Sequence, residues 1–196
     1  MGRRPKVLAL ACSPRTGGNS EILLDRLIAG ASDAGAAVEK IHVPRLEIAG
    51  CIECNGCFGC GFCVVEDDFQ YVAKKLTDAD RVVIATPVFF MGPSAQAKAM
   101  IDRCQSFWAR KYVLKAPLKE EPLEMERRGA WVSVGGTRGT RLFDGIELTM
   151  RYFFDAIYIA SYTRVEARRV DAKGEILRRE DALSDAFEKG IELAQP

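Results

Sequence analysis

The sequence predicts an α/β fold in which a five-stranded parallel sheet is wound with helices on both faces. Three observations predict it. Short apolar runs recur along the chain, of the kind that form strands buried on both sides. Segments with apolar residues at helical spacing alternate with these runs. The loops 12–20, 86–93 and 135–141, which leave strand ends, are rich in Gly, Ser, Thr, Pro or Arg, as expected where a ligand sits beyond the carboxyl ends of such a sheet.

The elements follow in order. Val7–Ala11 is a continuous apolar run and forms the first strand. Ile22, Leu23, Leu27, Ile28 and Ala31 recur at helical spacing, and Gly35 ends that helix. Ala37–Val43 reads as the second strand. A cysteine-bearing loop follows. Asp67 then opens a helix as N-cap, with Gln70 three residues on as in a capping box, and Phe69, Val72, Ala73 and Leu76 form its buried stripe. Arg81–Thr86 is the third strand. Ala97, Met100, Ile101, Cys104, Phe107 and Trp108 face one side of the next helix, and the mixed-charge stretch 109–128 reads as a surface connection with a short helical piece. Ala130–Val134 is the fourth strand. A helix from about Asp144 to Phe154, a fifth strand Ile157–Val165, a turn at Asp171–Gly174 and a final helix carrying Leu183, Ala186, Phe187 and Ile191 complete the chain. Five strands at this spacing suit the flavodoxin-like order 2-1-3-4-5.

The 196 residues, 48% hydrophobic and 28% charged, suit one domain spanning 1–196 with a cysteine-rich insertion at about 50–66. Lys and Arg number 28 against 27 Asp and Glu, a formal charge of +1. This balance excludes the concentrated positive field that a nucleic acid or a membrane surface requires of a partner. No run approaches the roughly 18 apolar residues of a spanning helix. The basic start Met1–Lys6 is followed by a strand-like run rather than a signal-peptide core, so a cytoplasmic protein is expected.

Ser13 to Ser20 joins a buried strand to a helix. A helix N-terminus offers unpaired N–H groups and partial positive charge, which favour a phosphate. Gly17 and Gly18 permit close backbone approach, Ser13, Thr16, Asn19 and Ser20 are donors, and Arg15 can neutralise a dianion. The loop is neither a G-x-G-x-x-G turn nor a Walker loop with its lysine, which argues against a dinucleotide there or an NTPase. The alternative is an ordinary polar turn capped by Asn19. Cys12, just before it, reads as a buried small hydrophobe.

Five of the 7 cysteines, Cys51, Cys54, Cys57, Cys60 and Cys63, fall in one short segment. A disulfide framework spreads its cysteines to close loops, and this spacing does not. It points to metal, iron–sulfur or thiol redox chemistry. Gly50, Gly56, Gly59 and Gly61 allow tight winding there.

Ser13-Pro14-Arg15 with Gly18-Asn19-Ser20, Thr86 to Met91 with Lys98 and Ile101-Asp102-Arg103, and Gly135 to Arg138 together resemble the three flavin loops of the NAD(P)H-dependent FMN reductase and flavodoxin-like superfamily, over about Lys6 to Ala194. Cys12 departs from the family, which usually has Gly there. Cys51-x2-Cys54-x2-Cys57-x5-Cys63 followed by Asp67-Asp68-Phe69 is similar to the iron-sulfur flavoproteins, which hold a 4Fe-4S cluster beside FMN. The resemblance implies FMN bound by Ser13, Arg15, Thr16, Gly18, Asn19 and Ser20, by Pro87, Val88, Phe89, Phe90, Met91 and Gly92, and by Gly135, Gly136, Thr137 and Arg138. It implies Cys51, Cys54, Cys57 and Cys63 as cluster ligands, with Cys60 an extra thiol. It further implies a homo-oligomer, dimer or tetramer, a ferredoxin-like carrier as partner, and NAD(P)H as a possible reductant. Two alternatives stay open: a clusterless NAD(P)H-dependent FMN, quinone or nitro reductase, and a structural zinc site, although zinc knuckles usually stand far apart in sequence. The lone His42 reads as structural, and Asp102 with Arg103 as an ion pair orienting its helix.

Overall fold

The computed structural model describes residues 3–195; Met1 and Gly2, the first residues of the basic start, and Pro196 lie outside the described residues. Five strands, β1 Lys6–Ala11, β2 Ala37–His42, β3 Arg81–Pro87, β4 Arg128–Gly135 and β5 Ser161–Arg168, form one sheet in the order β2-β1-β3-β4-β5. Every neighbouring pair is parallel, with Val7 opposite Val38 and Arg81, and Arg128 opposite Ser161. The expected strand order holds.

The helices are α1 Asn19–Asp33, the one-turn α2 Cys57–Cys60, α3 Phe69–Asp78, α4 Ala95–Arg103, the short α5 Gln105–Trp108, α6 Asp144–Ala156 and α7 Glu180–Ala194. Alternation along the strands divides the core. Leu8, Leu10, Val82, Ile84 and Trp131 face α3, α4 and α6. Val7, Ala9, Ala11, Ala85, Ala130 and Val132 face α1 and α7. Each fully buried Leu on α1, such as Leu23 or Leu27, contributes about 2 kcal/mol of hydrophobic stabilisation. The small side chains on the second face bring the helices close. A Cβ on Gly30 would stand 2.0 Å from the Phe187 carbonyl oxygen, and one on Gly190 would stand 1.9 Å from that of Leu27.

Two elements differ from expectation. The fifth strand begins at Ser161, not Ile157, and runs on to Arg168. Ile157 and Ile159 are buried instead in the C-terminal cap of α6, where Tyr158 takes a left-handed backbone (φ 62°) and the Ile157 and Ile159 N–H groups donate to Phe153 and Phe154. Apolar residues flanking a helix cap mimic a strand in sequence. The helix expected through Trp108 breaks at Cys104, continues as α5 and ends in a π turn, Ala109–Val113. The connection after it is not wholly superficial. Leu118 is buried, and so is Arg127, whose guanidinium donates to the carbonyls of Ala79, Ile157 and Leu76. Burial lowers its pKa to about 10. Arg81, also fully buried, ties the sheet to the end of α7 through the carbonyls of Leu193 (2.6 Å) and Gln195 (2.8 Å).

Four part-buried carboxylates carry the fold's acid sensitivity. Burial opposes the charged form of each. Lys40 at Glu21, Arg103 at Asp67, Arg3 at Asp80 and Lys111 at Asp155 overcome it and hold each carboxyl below its ordinary value. A folded pKa below the unfolded one stabilises fully above the ordinary carboxylate range and is lost as pH falls through the folded value. The urea midpoint is therefore expected to be flat from pH 7 to about 5 and to fall below about pH 4. A midpoint unchanged down to pH 3 would refute this assignment.

Candidate functional site

The carboxyl ends of β1, β3 and β4 are locked together by small buried hydroxyls. Ser94 Oγ donates to the Cys12 carbonyl (2.7 Å), Thr86 Oγ1 accepts from the Ser94 N–H (2.9 Å), and Ser133 Oγ donates to the Thr86 carbonyl (2.8 Å). Ser94 also caps α4 by accepting from Ala97 N. Sequence reading did not single out Ser94 or Ser133; Ser94, three residues before Ala97, carried an N-cap signal.

Over these ends lies a cleft of about 100 Å³. Ser13, Arg15, Gly18, Asn19 and Ser20 line it from the first loop. Pro87, Val88 and Phe89 line it from the second, and Gly135 with Gly136 from the third. Thr16, Phe90, Met91, Gly92, Thr137 and Arg138 do not reach it. The cleft has a fourth wall, Val170 and Asp171, of which the sequence showed only Asp171, as the start of a turn. Asn19 explains how that wall is held. It does not cap α1, whose N-cap is Gly18 with no side-chain acceptor. Its amide instead donates to the Ala172 carbonyl (2.8 Å) and accepts from Ile176 N (3.3 Å). The first N–H groups of α1 therefore stay without a side-chain cap at the cleft.

Beneath the loop, the buried Glu21 carboxylate accepts from Gly17 N (2.8 Å) and from Lys40 Nζ (2.8 Å). Ser13 Oγ accepts from Arg15 N (3.1 Å), which tightens the turn. His42 Nδ1 lies 3.5 Å from Glu21, consistent with its structural role. Cys12 is fully buried, and burial pushes its thiol pKa far up, so it acts as a small apolar side chain.

At the second loop, Phe89 and Gly92 pair as a tight two-residue turn. The central residues Phe90 and Met91 hold φ of 48° and 61°, a region that ordinary side chains rarely occupy. Phe90 is wholly exposed and Phe89 and Met91 are about half so. Strain of this kind persists where surrounding structure enforces it, often at ligand sites. Here Gly145 of α6 leaves room for it. A Cβ on Gly145 would meet the Met91 carbonyl oxygen at 2.3 Å.

The cysteine loop leaves the sheet after β2 and is fastened at its base. The N-cap of α3 is Asp68, one residue later than expected, with no side-chain cap bond; Asp67 Oδ1 accepts from Phe69 N (2.9 Å) and Gln70 accepts from Asp67 N (3.1 Å), so only the Gln70 half of the expected capping box forms. Asp67 Oδ2 also accepts from Ala49 N (2.9 Å), and Asp68 Oδ2 from Glu47 N (2.7 Å). The expected Asp102–Arg103 pair does not form. Asp102 pairs with Lys98 one turn back (2.7 Å), and Arg103 forms a fork with Asp67. Arg103 points into the core side of α4, where an uncapped cation needs a carboxylate, whereas Asp102 faces solvent.

Within the loop, the sharpest backbone turns fall at Glu53, Asn55 and Gly61, with φ of 54°, 56° and 75°, rather than at all four glycines. Cys51, Cys54, Cys57 and Cys63 line one cavity of about 380 Å³, walled by Arg103, Gln105 and Ser106. Cys60 does not; its sulfur lies against the carbonyls of Gly56 (3.6 Å) and Phe62 (3.4 Å). Burial raises the Cys57 pKa, and the nearby Cys63, Cys51 and Cys54 thiols raise it further. Among the described residues, no group of three or more His, Cys, Asp or Glu side chains is gathered tightly enough to hold a metal ion. All seven thiols are free.

Residues 5–163 match the NADPH-dependent FMN reductase family. The chain belongs to that family. It is a flavin-dependent oxidoreductase. An iron-sulfur flavoprotein of Methanosarcina thermophila is 29% identical over 154 residues, which are 79% of this chain and 73% of that protein. An iron-sulfur flavoprotein of Methanocaldococcus jannaschii is 36% identical over 98 residues, 50% of this chain and 51% of that one, so the match to it spans about half of its length. Among solved structures, an NAD(P)H:quinone oxidoreductase from Methanothermobacter marburgensis superposes with a TM-score of 0.74 at 17% identity, covering 99% of this chain and 98% of that one, and shares the fold. Among the described residues of this family member, no helix is long and apolar enough to cross a membrane.

Proposed function

We propose that this FMN reductase family member is an iron-sulfur flavoprotein. In this reading one FMN-binding domain, with the 50–66 insertion, relays electrons between a 4Fe-4S cluster, FMN and a small acceptor or carrier such as ferredoxin. The observation that carries this reading is the shared cavity of Cys51, Cys54, Cys57 and Cys63. Four thiols share this cavity with the carboxylates of Glu53 and Asp102, and a set of four thiols suits an iron–sulfur group, which thiolates hold.

The residues of the strand-end cleft fit an anionic headgroup. The uncapped start of α1 supplies N–H donors, Arg15 supplies positive charge, and the Glu21–Lys40 pair holds the loop from below. A volume of about 100 Å³ suits a phosphate and part of its chain rather than a tricyclic ring. The ring lies in this reading on the strained 89–92 turn, with Thr16, Thr137 and Arg138 outside the cleft on the loops that border it. FMN supplies exchange of one or two electrons; the chain binds, orients and shields it. The exposed Phe90 and Met91 suit burial against a second subunit, which supports a homo-oligomer.

Gly145→Ala tests the hairpin. Overpacking against the Met91 carbonyl is expected to weaken FMN binding about tenfold, roughly 1.4 kcal/mol, with the cysteine loop untouched. Fluorescence titration with FMN checks it, and wild-type affinity in the variant would remove the hairpin from the flavin site.

The family match itself favours a second reading: a clusterless reductase that takes electrons from NAD(P)H to quinones, nitro compounds or free flavin. Anaerobic purification with iron, acid-labile sulfide and FMN assays decides. Iron and sulfide together with FMN support the relay. FMN alone with rapid NAD(P)H oxidation supports the reductase.

A further inference from the structure

We infer that Arg103 is a positioning residue for Cys63, and that it raises the reduction potential of the cluster there through a hydrogen bond to the ligand sulfur. The inference rests on the cluster reading above. An arginine carries five N–H donors in a fixed fork. In Arg103 each contact finds an acceptor: Nε on Cys63 Sγ (3.0 Å), Nη1 on Ala49 O (3.0 Å) and Asp67 Oδ2 (2.6 Å), Nη2 on Val65 O (2.7 Å) and Asp67 Oδ1 (3.1 Å). The side chain is wholly buried, with its guanidinium 4.9 Å from the Phe69 ring centroid. It therefore cannot rotate away from the sulfur without leaving several acceptors unpaired, which buried polar groups resist.

The five contacts are not equivalent. Ala49 O and Val65 O flank the two ends of the cysteine segment, so one side chain sets the distance across the loop mouth. Asp67 forms a bidentate pair and cancels much of the cation's field at long range. The Nε–H on Cys63 is what remains directed at the cavity. A donor on a ligand sulfur stabilises the state with more electron density on that sulfur. Addition of one electron to the cluster puts more density on its sulfurs, so loss of this donor lowers the potential.

The test uses full-length protein reconstituted with iron and sulfide under anaerobic conditions: wild type, Arg103→Lys and Arg103→Gln. Arg103→Lys keeps the cation and discards the fork. Redox titration followed by electron paramagnetic resonance is expected to show a lower midpoint in both variants, about tenfold in the reduction equilibrium or about 59 mV for one electron. Equal midpoints in all three proteins overturn the inference. Should the variants not fold, the wild type itself decides. With 15N-arginine, the reduced cluster is expected to show a hyperfine coupling to 15N, and its absence overturns the proposal. Wild type that takes up no iron and sulfide overturns the cluster reading and, with it, this inference, a result distinct from a loaded cluster with an unmoved midpoint.

Discussion

Cys57→Ser is expected to lose iron and sulfide while retaining FMN, whereas Cys60→Ser keeps all three. Outer-sphere partners of a metal site already change affinity by about 10- to 100-fold, so loss of a direct ligand is expected to lower iron content at least that much. Cys57 is the buried member of the set, 9% exposed, at the start of α2, with Cys51, Cys54 and Cys63 as its sulfur neighbours. Cys60, one helical turn on, turns its sulfur toward the loop's own carbonyls instead. Iron and sulfide assays on anaerobically reconstituted protein check the pair. Equal loss in both variants would overturn the assignment of Cys60 as an extra thiol, and full iron in Cys57→Ser would remove Cys57 from the ligand set.

Gly190→Ala carries the largest expected stability loss, about 3 kcal/mol. The added methyl would stand 1.9 Å from Leu27 O and 2.9 Å from Ala31 N. Both are helix backbone and cannot swing aside as a side chain would, so α1 and α7 must separate and open the Leu23, Leu27 and Ala186 core. Gly30→Ala makes the reciprocal clash with Phe187 O and is expected to cost a similar amount, less than additively in combination because the helices part only once. Urea unfolding measures it. A loss below about 0.5 kcal/mol, the range of a neutral surface change, would show that the two helices adjust freely.

Much of the architecture was legible because it depends on periodicity. The buried runs Val7–Ala11 and Arg81–Thr86 and the stripes of α1, α3 and α7 follow directly from which residues avoid water. The spacing of the cysteines marked their segment for metal, iron–sulfur or thiol chemistry, while the choice among these came from the family resemblance. What failed to show depends on partners distant in sequence. Ile157 and Ile159 look like a strand because a helix cap also buries β-branched residues. Arg103 sits beside Asp102 in sequence, yet its carboxylate is Asp67, 36 positions away. Val170 and Asp171 enter the cleft through partners distant in sequence: Val170 N donates to Gly135 O, and Asn19 reaches across to the turn that follows. The strained backbone at Phe90 and Met91 carries no sequence signal, since neither residue type favours it.

The fastening of residues 49 and 67 to one another and to Arg103 separates two mechanical responsibilities. No strand of the sheet passes through the stretch between them, and the hydrogen bonds at its neck belong to Asp67, Asp68 and the guanidinium. The thiol-bearing segment is thus an appendix hung on a closed collar. Its contents can lengthen, shorten or change chemistry while the sheet and the cleft over its strand ends keep their register.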